Sequence, residues 1–452
     1  MINPIVTPPF DVCFFKDNVF SFELVTMQAG NAIVHNPAVD EWKEQYQQKI
    51  SAYEENHDTN GELAVSTSAN AKEDVLKVKG PIAAAAADKK IISDPDPEAG
   101  GYIYQRLGNP TNETAELMIA QVEGGAGTLL YNSGLAAMAG VFMCFLRHNQ
   151  HVVCTGPCYS GTYKFIKETL AKFSVRSTFV ASDATVEQFE AAFTEQTALV
   201  YAESPGNPTL SVVDLSALGE LGKRRRVLTV VDATFASPYN QRPLEHGVDV
   251  VLHSCSKYLG GHSDLIAGCV TTARLELWKQ LKVHQATTGS TLSALDASLL
   301  IRGLKTLPLR MQRHNENALA VATFLESMRE TIKRVWYPGL RSHPKHEITR
   351  KQMSPGFSGM VVFEMAEPDQ AKQLVENVRL INLCVSLGGT ESLIEHPYTM
   401  THGPMFFEED REAAAELSKG LIRLSVGLEN ADDLISDLKQ ALEKVQSAAA
   451  ET

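Results

Sequence analysis

The sequence lacks the features that mark several large classes of protein. Acidic side chains outnumber basic ones over the 452 residues and give a formal net charge of −13, which argues against a nucleic-acid or anionic-membrane surface as the main function. No basic segment followed by a long apolar core opens the chain, and Asn132 and Ser133 interrupt its most apolar stretch. We therefore predict neither a secretion signal nor a membrane span.

Cysteine usage and the absence of common motifs argue against further classes of protein. The seven cysteines are an odd number and widely spread, and Cys154 and Cys158 have no second pair at metal-ligand spacing. We predict reduced thiols, a cytoplasmic protein and no metal site. The central part of the chain has no dinucleotide fingerprint, no phosphate loop and no G-x-S-x-G nucleophile elbow, which disfavours nucleotide enzymes and hydrolases.

The sequence pattern divides the chain into three segments. Residues 1–100 are irregular and predict either an arm that wraps a partner subunit or a partly disordered extension. Residues 101–305 alternate short apolar runs with helical patterns, which predicts an α/β domain with a mostly parallel sheet. Residues 306–452 predict a smaller α+β domain. The apolar runs that predict strands in the central segment are Thr128–Tyr131, His151–Cys154, Ala198–Glu203, Val227–Asp232 and Val248–His253.

Ligands of parallel sheets gather beyond the carboxyl ends of the strands, and candidate residues stand there. One run ends in Ser254, Ser256 and Lys257, followed by paired glycines. Serine hydroxyls and loop amides suit a phosphate, and a lysine partly withdrawn from water is a nucleophile towards an aldehyde. An isolated lysine in such a place is more often only a surface residue.

Two further turns carry candidate residues. Another run ends in Asp232, which can either face a pyridine nitrogen or cap a helix. The turn Ser133-Gly134-Leu135 leads from a strand into a helix, where free amides bind phosphate. Its alternative interpretation is a simple helix cap at Ser133.

Together these motifs resemble those of the Cys/Met-metabolism enzymes that depend on pyridoxal 5′-phosphate (PLP), the trans-sulfuration family. The resemblance implies the PLP-dependent transferase fold type I, like that of aspartate aminotransferase, with a mostly parallel seven-stranded sheet in the large domain. The matching blocks are Asp249–His262 around the lysine, Tyr104–Thr111, Glu203–Pro208 and Arg423–Glu429.

The resemblance also implies roles for individual residues. Lys257 is expected to hold the cofactor as a Schiff base and to carry protons, Asp232 to pair with the ring nitrogen, and Tyr159 to stack on the ring and assist catalysis. Arg423, assisted by Ser386, is expected to bind the substrate carboxylate. Residues expected to bind other parts of the cofactor are Ser133, Gly134, Leu135, Ser254 and Ser256 for the phosphate, Asn207 for the ring hydroxyl, and Tyr104 and Arg106 for the phosphate of a neighbouring subunit. The active unit is therefore expected to be at least a homodimer with a shared active site, and two such dimers are expected to form a homotetramer.

The choice of reaction rests on fewer residues. The segment from Val385 to His402 is most similar to methionine γ-lyase, whereas cystathionine γ-lyases and γ-synthases carry a glutamate where Val385 stands. The chain departs from methionine γ-lyases at Gly161, where they have a reactive cysteine, and at Gln285-Ala286, where they have a lysine–aspartate pair. Our hypothesis is a carbon–sulfur lyase that performs α,γ-elimination on methionine, homocysteine or cystathionine. The alternatives are a γ-replacement synthase and a non-catalytic scaffold that keeps the fold.

Overall fold

The structure is a computed structural model that describes residue 102, residues 104–403 and residues 418–450. The segment 1–100, for which we predict an arm or extension, lies outside these residues. The domain boundary near residue 305 stays a prediction. Among the described residues, no helix has the combined length and apolar character needed to cross a membrane.

A seven-stranded sheet forms the first layer of the fold, in the spatial order β1-β7-β6-β5-β4-β2-β3. Its strands are Gly127–Tyr131 (β1), His151–Gly156 (β2), Arg176–Ala181 (β3), Thr197–Glu203 (β4), Leu228–Asp232 (β5), Val250–Ser254 (β6) and Gly268–Thr272 (β7). All neighbours are parallel except β7, which is antiparallel to both β6 and β1. The predicted mostly parallel seven-stranded sheet is confirmed.

Helices cover both faces of this sheet, which explains why its strands are apolar runs and not alternating patterns. Leu129 of β1 packs into one core with Met138 and Phe142, while the adjacent Leu130 packs into another with Ile119 and Leu300. The α-helices in this part of the chain are Pro110–Glu123 (α1), Gly134–Phe145 (α2), Ser160–Lys164 (α3), Val186–Ala191 (α4), Leu215–Arg225 (α5), Ser237–Asn240 (α6), Leu275–Thr288 (α7) and Ala294–Leu304 (α8).

A five-stranded, mostly antiparallel sheet follows in the order β10-β11-β12-β9-β8. Its strands are Ile332–Trp336 (β8), Met360–Met365 (β9), Asn382–Leu383 (β10), Leu393–Glu395 (β11) and Leu421–Ser425 (β12). The accompanying helices are Leu307–Ser327 (α9), His346–Gln352 (α10), Gln370–Asn377 (α11), Pro397–Met400 (α12) and Ala431–Ala450 (α13). Phe363 and Ile422 pack against Leu434 and Leu438 of α13. This is the predicted smaller α+β region.

Candidate active site

The carboxyl ends of six strands lie at one edge of the large sheet. Strands β2 to β6 are parallel, and β1 joins them because both β1 and β6 run antiparallel to β7. Gly268 of β7 is the register partner of Tyr131 at the end of β1 and of Ser254 at the end of β6. The turns that follow these two strands are therefore neighbours, although more than a hundred residues separate them in sequence.

The first of these turns opens α2 and offers free backbone amides to an anion. Ser133 caps the helix, and its Oγ accepts a hydrogen bond from Ala136 N at 3.0 Å. The N–H groups of Gly134 and Leu135 lie in the first helical turn, where they have no partner inside the helix and favour an anion. A Cβ at position 134 would lie 2.8 Å from Cβ of Ser254, so only glycine allows the helix to start this close to β6.

The two serines of the second turn lie in different settings. Ser254 lies against Gly134, and its backbone N–H donates to Thr234 Oγ1 at 2.8 Å. Ser256 Oγ instead donates to Ala267 O at 3.2 Å and accepts from Ala267 N at 3.0 Å. The free amides at the start of α2 and the adjacent Ser254 suit a phosphate, and the contacts of a phosphate with Ser254 and with Ser256 stay predictions.

Lys257 follows these serines and is largely buried. Its Nζ donates a hydrogen bond to Ser386 Oγ at 2.6 Å. Burial, followed by the positive charge of Arg423, lowers the pKa of the Lys257 amine to about 8, while Glu395 acts in the opposite direction. An appreciable share of this amine is therefore neutral near physiological pH, which is the form that condenses with an aldehyde.

Asp232 ends the neighbouring strand β5. Its Oδ2 accepts from Tyr201 OH at 3.1 Å, and its Oδ1 accepts from Thr234 N at 2.9 Å. Burial raises the pKa of this carboxyl, and the bonds from Thr234 and Tyr201 lower it. The carboxylate thus accepts a bond from a local turn and does not cap the following helix, whose N-cap is Ala236, so the alternative interpretation is wrong. It suits a cationic ring nitrogen, whose charge would offset the cost of burial.

Glu203, at the end of β4, is a site residue to which the sequence analysis gave no role. Its Oε1 accepts from Tyr159 N at 2.8 Å and its Oε2 from Asn207 N at 3.0 Å. Burial and the neighbouring charge of Asp232, its register partner, raise the pKa of Glu203. One carboxyl group therefore orients the two segments that carry the predicted ring-stacking tyrosine and the predicted ring-hydroxyl partner.

Tyr159 presents its side chain at the mouth of the site and is 48% exposed. A Cβ at position 161 would lie 2.6 Å from Cε1 of this ring. A cysteine there, as in methionine γ-lyases, would force the ring to move. Gly161 thus allows the position that Tyr159 occupies in this chain.

Arg423 enters the site from the small sheet and is only 5% exposed. It lies on β12, an interior strand between β11 and β9. Arg423 is therefore not a surface arginine on an edge strand. Its Nη1 donates to Asn207 Oδ1 at 3.0 Å and its Nη2 to Ser386 O at 3.1 Å. Glu395 Oε2 lies 2.9 Å from Nη2 and forms an ion pair with it.

The segment that carries Val385 and Ser386 closes over the lysine turn. Ser386 has φ 94° and Gly388 has φ 74°, and a Cβ at position 388 would lie 2.8 Å from Tyr258 N. This close approach places the hydroxyl of Ser386 on Lys257 Nζ and its carbonyl on Arg423. Val385 is 45% exposed at the same point.

Tyr104 and Arg106 contact each other, and Arg106 also contacts the end of α7. The guanidinium of Arg106 stacks over the Tyr104 ring, 5.3 Å from its centroid, and donates to Ala286 O. Tyr104 is exposed. Their predicted contact with a neighbouring subunit stays a prediction. Gln285 is buried, and its Nε2 donates to Leu130 O at 2.6 Å.

The site therefore brings together most of the predicted residues and adds two carboxylates. Glu395 and Glu203 could have been suspected from one signal, namely an acidic side chain at the end of a strand that is otherwise apolar. Their partners could not be predicted, because Glu395 meets Arg423 only through the register of β11 and β12.

Comparison with known proteins agrees with this site. The model of the Cys/Met metabolism PLP-dependent enzyme family matches residues 63–443. An amine that can condense with an aldehyde, a carboxylate suited to a ring nitrogen and a phosphate cradle define a PLP enzyme of fold type I. The chain belongs to the Cys/Met metabolism PLP-dependent enzyme family, and its cofactor is PLP.

Individual relatives carry different names. Cystathionine beta-lyase of Lactococcus lactis is 43% identical over 343 residues, which cover 76% of this chain and 89% of that protein. L-methionine gamma-lyase of Fusobacterium nucleatum is 44% identical, with coverages of 77% and 88%. Cystathionine gamma-synthase of Mycobacterium tuberculosis is 45% identical, with coverages of 76% and 87%.

A solved structure shows the same fold. Cystathionine gamma-lyase from Lactobacillus plantarum, in complex with L-serine, superposes with a TM-score of 0.73 at 38% identity, and the match covers 78% of this chain and 92% of that one. The predicted family, fold and cofactor are therefore confirmed.

Proposed function

We propose that the protein is a carbon–sulfur lyase that performs α,γ-elimination on methionine, homocysteine or cystathionine, with release of a thiol, a 2-oxo acid and ammonia. The observation that supports it most is the contact between Lys257 Nζ and Ser386 Oγ, because the carbonyl of the same serine binds Arg423. A substrate whose carboxylate binds Arg423 presents its α-carbon to the Lys257 amine.

The residues of this chain divide the work as follows. Bound PLP supplies the electron withdrawal that makes the substrate α-hydrogen acidic. Asp232 holds the negative charge beside the ring nitrogen, and Glu203 orients Tyr159 and Asn207 around the ring. Lys257, with its lowered pKa, accepts a proton from one substrate carbon and returns it to another.

The mouth of the site favours a thioether without a second charged head group. Val385 stands half-exposed beside Ser386 and offers no partner to a distal ammonium. This property suits methionine and homocysteine better than cystathionine.

A γ-replacement synthase is the second candidate, because the cystathionine gamma-synthase named above is as similar to this chain as the lyases are. The two reactions require the same proton transfers at the α- and β-carbons, so the residues described above serve both. They differ in whether an added nucleophile enters at the γ-carbon.

A product survey of the purified enzyme tests the proposal. Methionine, homocysteine and cystathionine should each yield 2-oxobutanoate without any added nucleophile. Pyruvate from cystathionine would indicate β-elimination instead. The synthase would be indicated if acylhomoserines are converted to a new amino acid and only when a thiol is added. Absence of 2-oxobutanoate with all three substrates would refute the γ-lyase.

We also propose a cytosolic homo-oligomer, at least a dimer with shared active sites and in the larger form a tetramer. Free cysteines in the described residues suit a reducing compartment. The family resemblance, which assigns Tyr104 and Arg106 to the phosphate of a neighbouring subunit, supports shared sites. Co-expression of Lys257→Ala and Arg106→Ala chains should restore about a quarter of wild-type activity, since random dimers regain one intact site in half of the molecules. Failure to exceed the activity of either variant alone would refute shared sites.

A further inference from the structure

Glu395 is a buried carboxylate in the site that the family resemblance did not assign. It is 1% exposed, and its Oε1 accepts from Thr401 Oγ1 at 3.0 Å. Its Oε2 lies 2.9 Å from Arg423 Nη2, but the geometry of this ion pair is not that of a hydrogen bond. Among the described residues, no group donates a hydrogen bond to Oε2.

A substrate carboxylate that binds Arg423 therefore lies beside the carboxylate of Glu395, which is already paired with the same guanidinium. Two buried anions would then share one guanidinium, and like charges at such distances do not both stay ionised. Burial raises the pKa of Glu395, although the charge of Arg423 and the bond from Thr401 act against this. An α-carboxyl group is intrinsically the stronger acid, so the proton goes to Glu395.

The other polar and charged groups around Glu395 do not remove this conflict. Arg423 faces it from β12, and Lys257 faces it from the turn after β6. In the cofactor-loaded enzyme the nitrogen of Lys257 is expected to be bonded to the cofactor, so it offers no ammonium to a second carboxylate. His402 is buried beside Thr401, and burial together with the Arg423 charge lowers its pKa to about 3. His402 therefore stays neutral and supplies no compensating charge.

We propose that binding of the substrate carboxylate at Arg423 is coupled to uptake of a proton by Glu395, whose carboxyl group then donates a hydrogen bond to that carboxylate. The proton comes from solvent and no covalent bond to carbon changes. The inference rests on the proposed role of Arg423 in substrate binding. Glu395 would thus be a positioning residue that makes substrate affinity depend on pH.

Calorimetry of the cofactor-loaded enzyme tests the coupling. The probe is 2-hydroxy-4-(methylsulfanyl)butanoate, a thioether acid whose α-hydroxyl keeps its carboxyl group more acidic than a glutamate side chain. It cannot react with the cofactor because it has no amino group. Titrations in buffers with different ionisation enthalpies give the total number of protons taken up per bound probe. The absorbance of the bound cofactor shows how many of these protons the cofactor itself takes up, and this number is subtracted from the total. For the wild type, the remainder should be about one proton at a pH above the pKa of Glu395.

Variants and pH dependence sharpen the test. In the wild type, the Kd of the probe should rise about tenfold per pH unit above the pKa of Glu395, because the protonated form binds. Glu395→Gln should show no remaining proton uptake and a nearly flat Kd, since the amide N–H₂ replaces the carboxyl donor. Glu391→Gln is the matched control: Glu391 lies on the same segment, accepts from Ser263 and Thr390 instead, and should behave as the wild type does.

The outcomes separate this inference from the proposed function. Binding of the probe to the wild type without additional proton uptake, or unchanged uptake in Glu395→Gln, would overturn the coupling while leaving Arg423 as the carboxylate site. Equal affinity of wild type and Arg423→Lys for the probe would overturn both. If Glu395→Gln does not fold, the pH dependence of the wild-type Kd still decides.

Discussion

The cofactor side and the substrate side of the site are built in different ways. The cofactor side consists of strand ends and the turns directly after them, where short-range bonds such as Thr234 N to Asp232 and Ala136 N to Ser133 hold each group. The substrate side joins residues that are far apart in sequence, since Arg423 and Asn207 are separated by 216 positions and Lys257 and Ser386 by 129. The first side depends on local structure and the second on how the two sheets meet.

Charge also differs between the two sides. The cofactor side contains two facing carboxyl groups, Glu203 and Asp232, whose pKa values are both raised by burial. The substrate side contains two cationic groups, Lys257 and Arg423, and one carboxylate, Glu395. An electron-poor ring is thus expected against the acidic side and an anionic substrate against the basic side.

The largest effect is expected on the residue that connects the two sides. Lys257→Ala should lower kcat/KM by on the order of a thousandfold or more, because it removes both the anchoring amine and the proton carrier. It should also abolish the absorption band of the bound cofactor. Steady-state kinetics and a spectrum of the purified variant measure these losses, and Lys305→Ala, an exposed lysine, serves as the control.

A smaller effect, confined to the substrate side, is expected from Arg423→Lys. An ammonium keeps the charge beside Glu395 but loses the planar fork, which should weaken substrate binding by about 2 kcal/mol, or roughly thirtyfold in KM. The cofactor spectrum should stay that of the wild type. A loss of cofactor binding with unchanged KM would contradict the division into two sides. Arg423→Ala is less suitable, because it would leave a buried, unpaired carboxylate.

The pH dependence of cofactor uptake tests how the substrate side tunes the cofactor side. Below about pH 8 the rate of PLP uptake by the apoenzyme should rise about tenfold per pH unit and then level off, since the neutral Lys257 amine is the reactive form. In Arg423→Gln the plateau should begin at a higher pH, because the charge that lowers the Lys257 pKa is gone. Stopped-flow absorbance measures both rates, and an identical profile in the variant would contradict this electrostatic link.

The smallest effect is expected at the mouth. Val385→Glu should change the ratio of kcat/KM for cystathionine to that for methionine by about tenfold in favour of cystathionine, because the new carboxylate can pair with a distal ammonium. Val385→Ile is the matched control and should leave the ratio within about twofold. A ratio unaffected by the glutamate would show that this position does not select the substrate.

The same contrast explains what could be predicted from the sequence. Strands β1, β2, β4, β5 and β6 are largely buried apolar runs, so their positions and the turns after them could be identified, and Lys257, Asp232 and Ser254 fall at these turns. The edge strand β3, whose residues are exposed or half-buried, was not predicted. Arg423 could be assigned only by resemblance, since nothing local distinguishes it from a surface arginine on a strand. Its burial results from its place between β11 and β9, which is a property of the sheet order.

Some details were beyond sequence reasoning for physical reasons. The role of Glu203 depends on two backbone N–H groups that reach it from separate loops, and no side-chain pattern encodes such contacts. The ion pair of Glu395 and Arg423 depends on the register of β11 and β12. A shift of one residue would move one of the two side chains to the opposite face of the sheet. Ser256, predicted to bind phosphate together with Ser254, has its hydroxyl engaged with the backbone of Ala267.

Borohydride reduction of the purified, PLP-loaded protein, followed by peptide mass spectrometry, tests the central claim most directly. We expect the reduced cofactor to be fixed to Nζ of Lys257, in the peptide that contains this residue. Attachment to a different lysine, or recovery of the Lys257 peptide without the added mass, would contradict it.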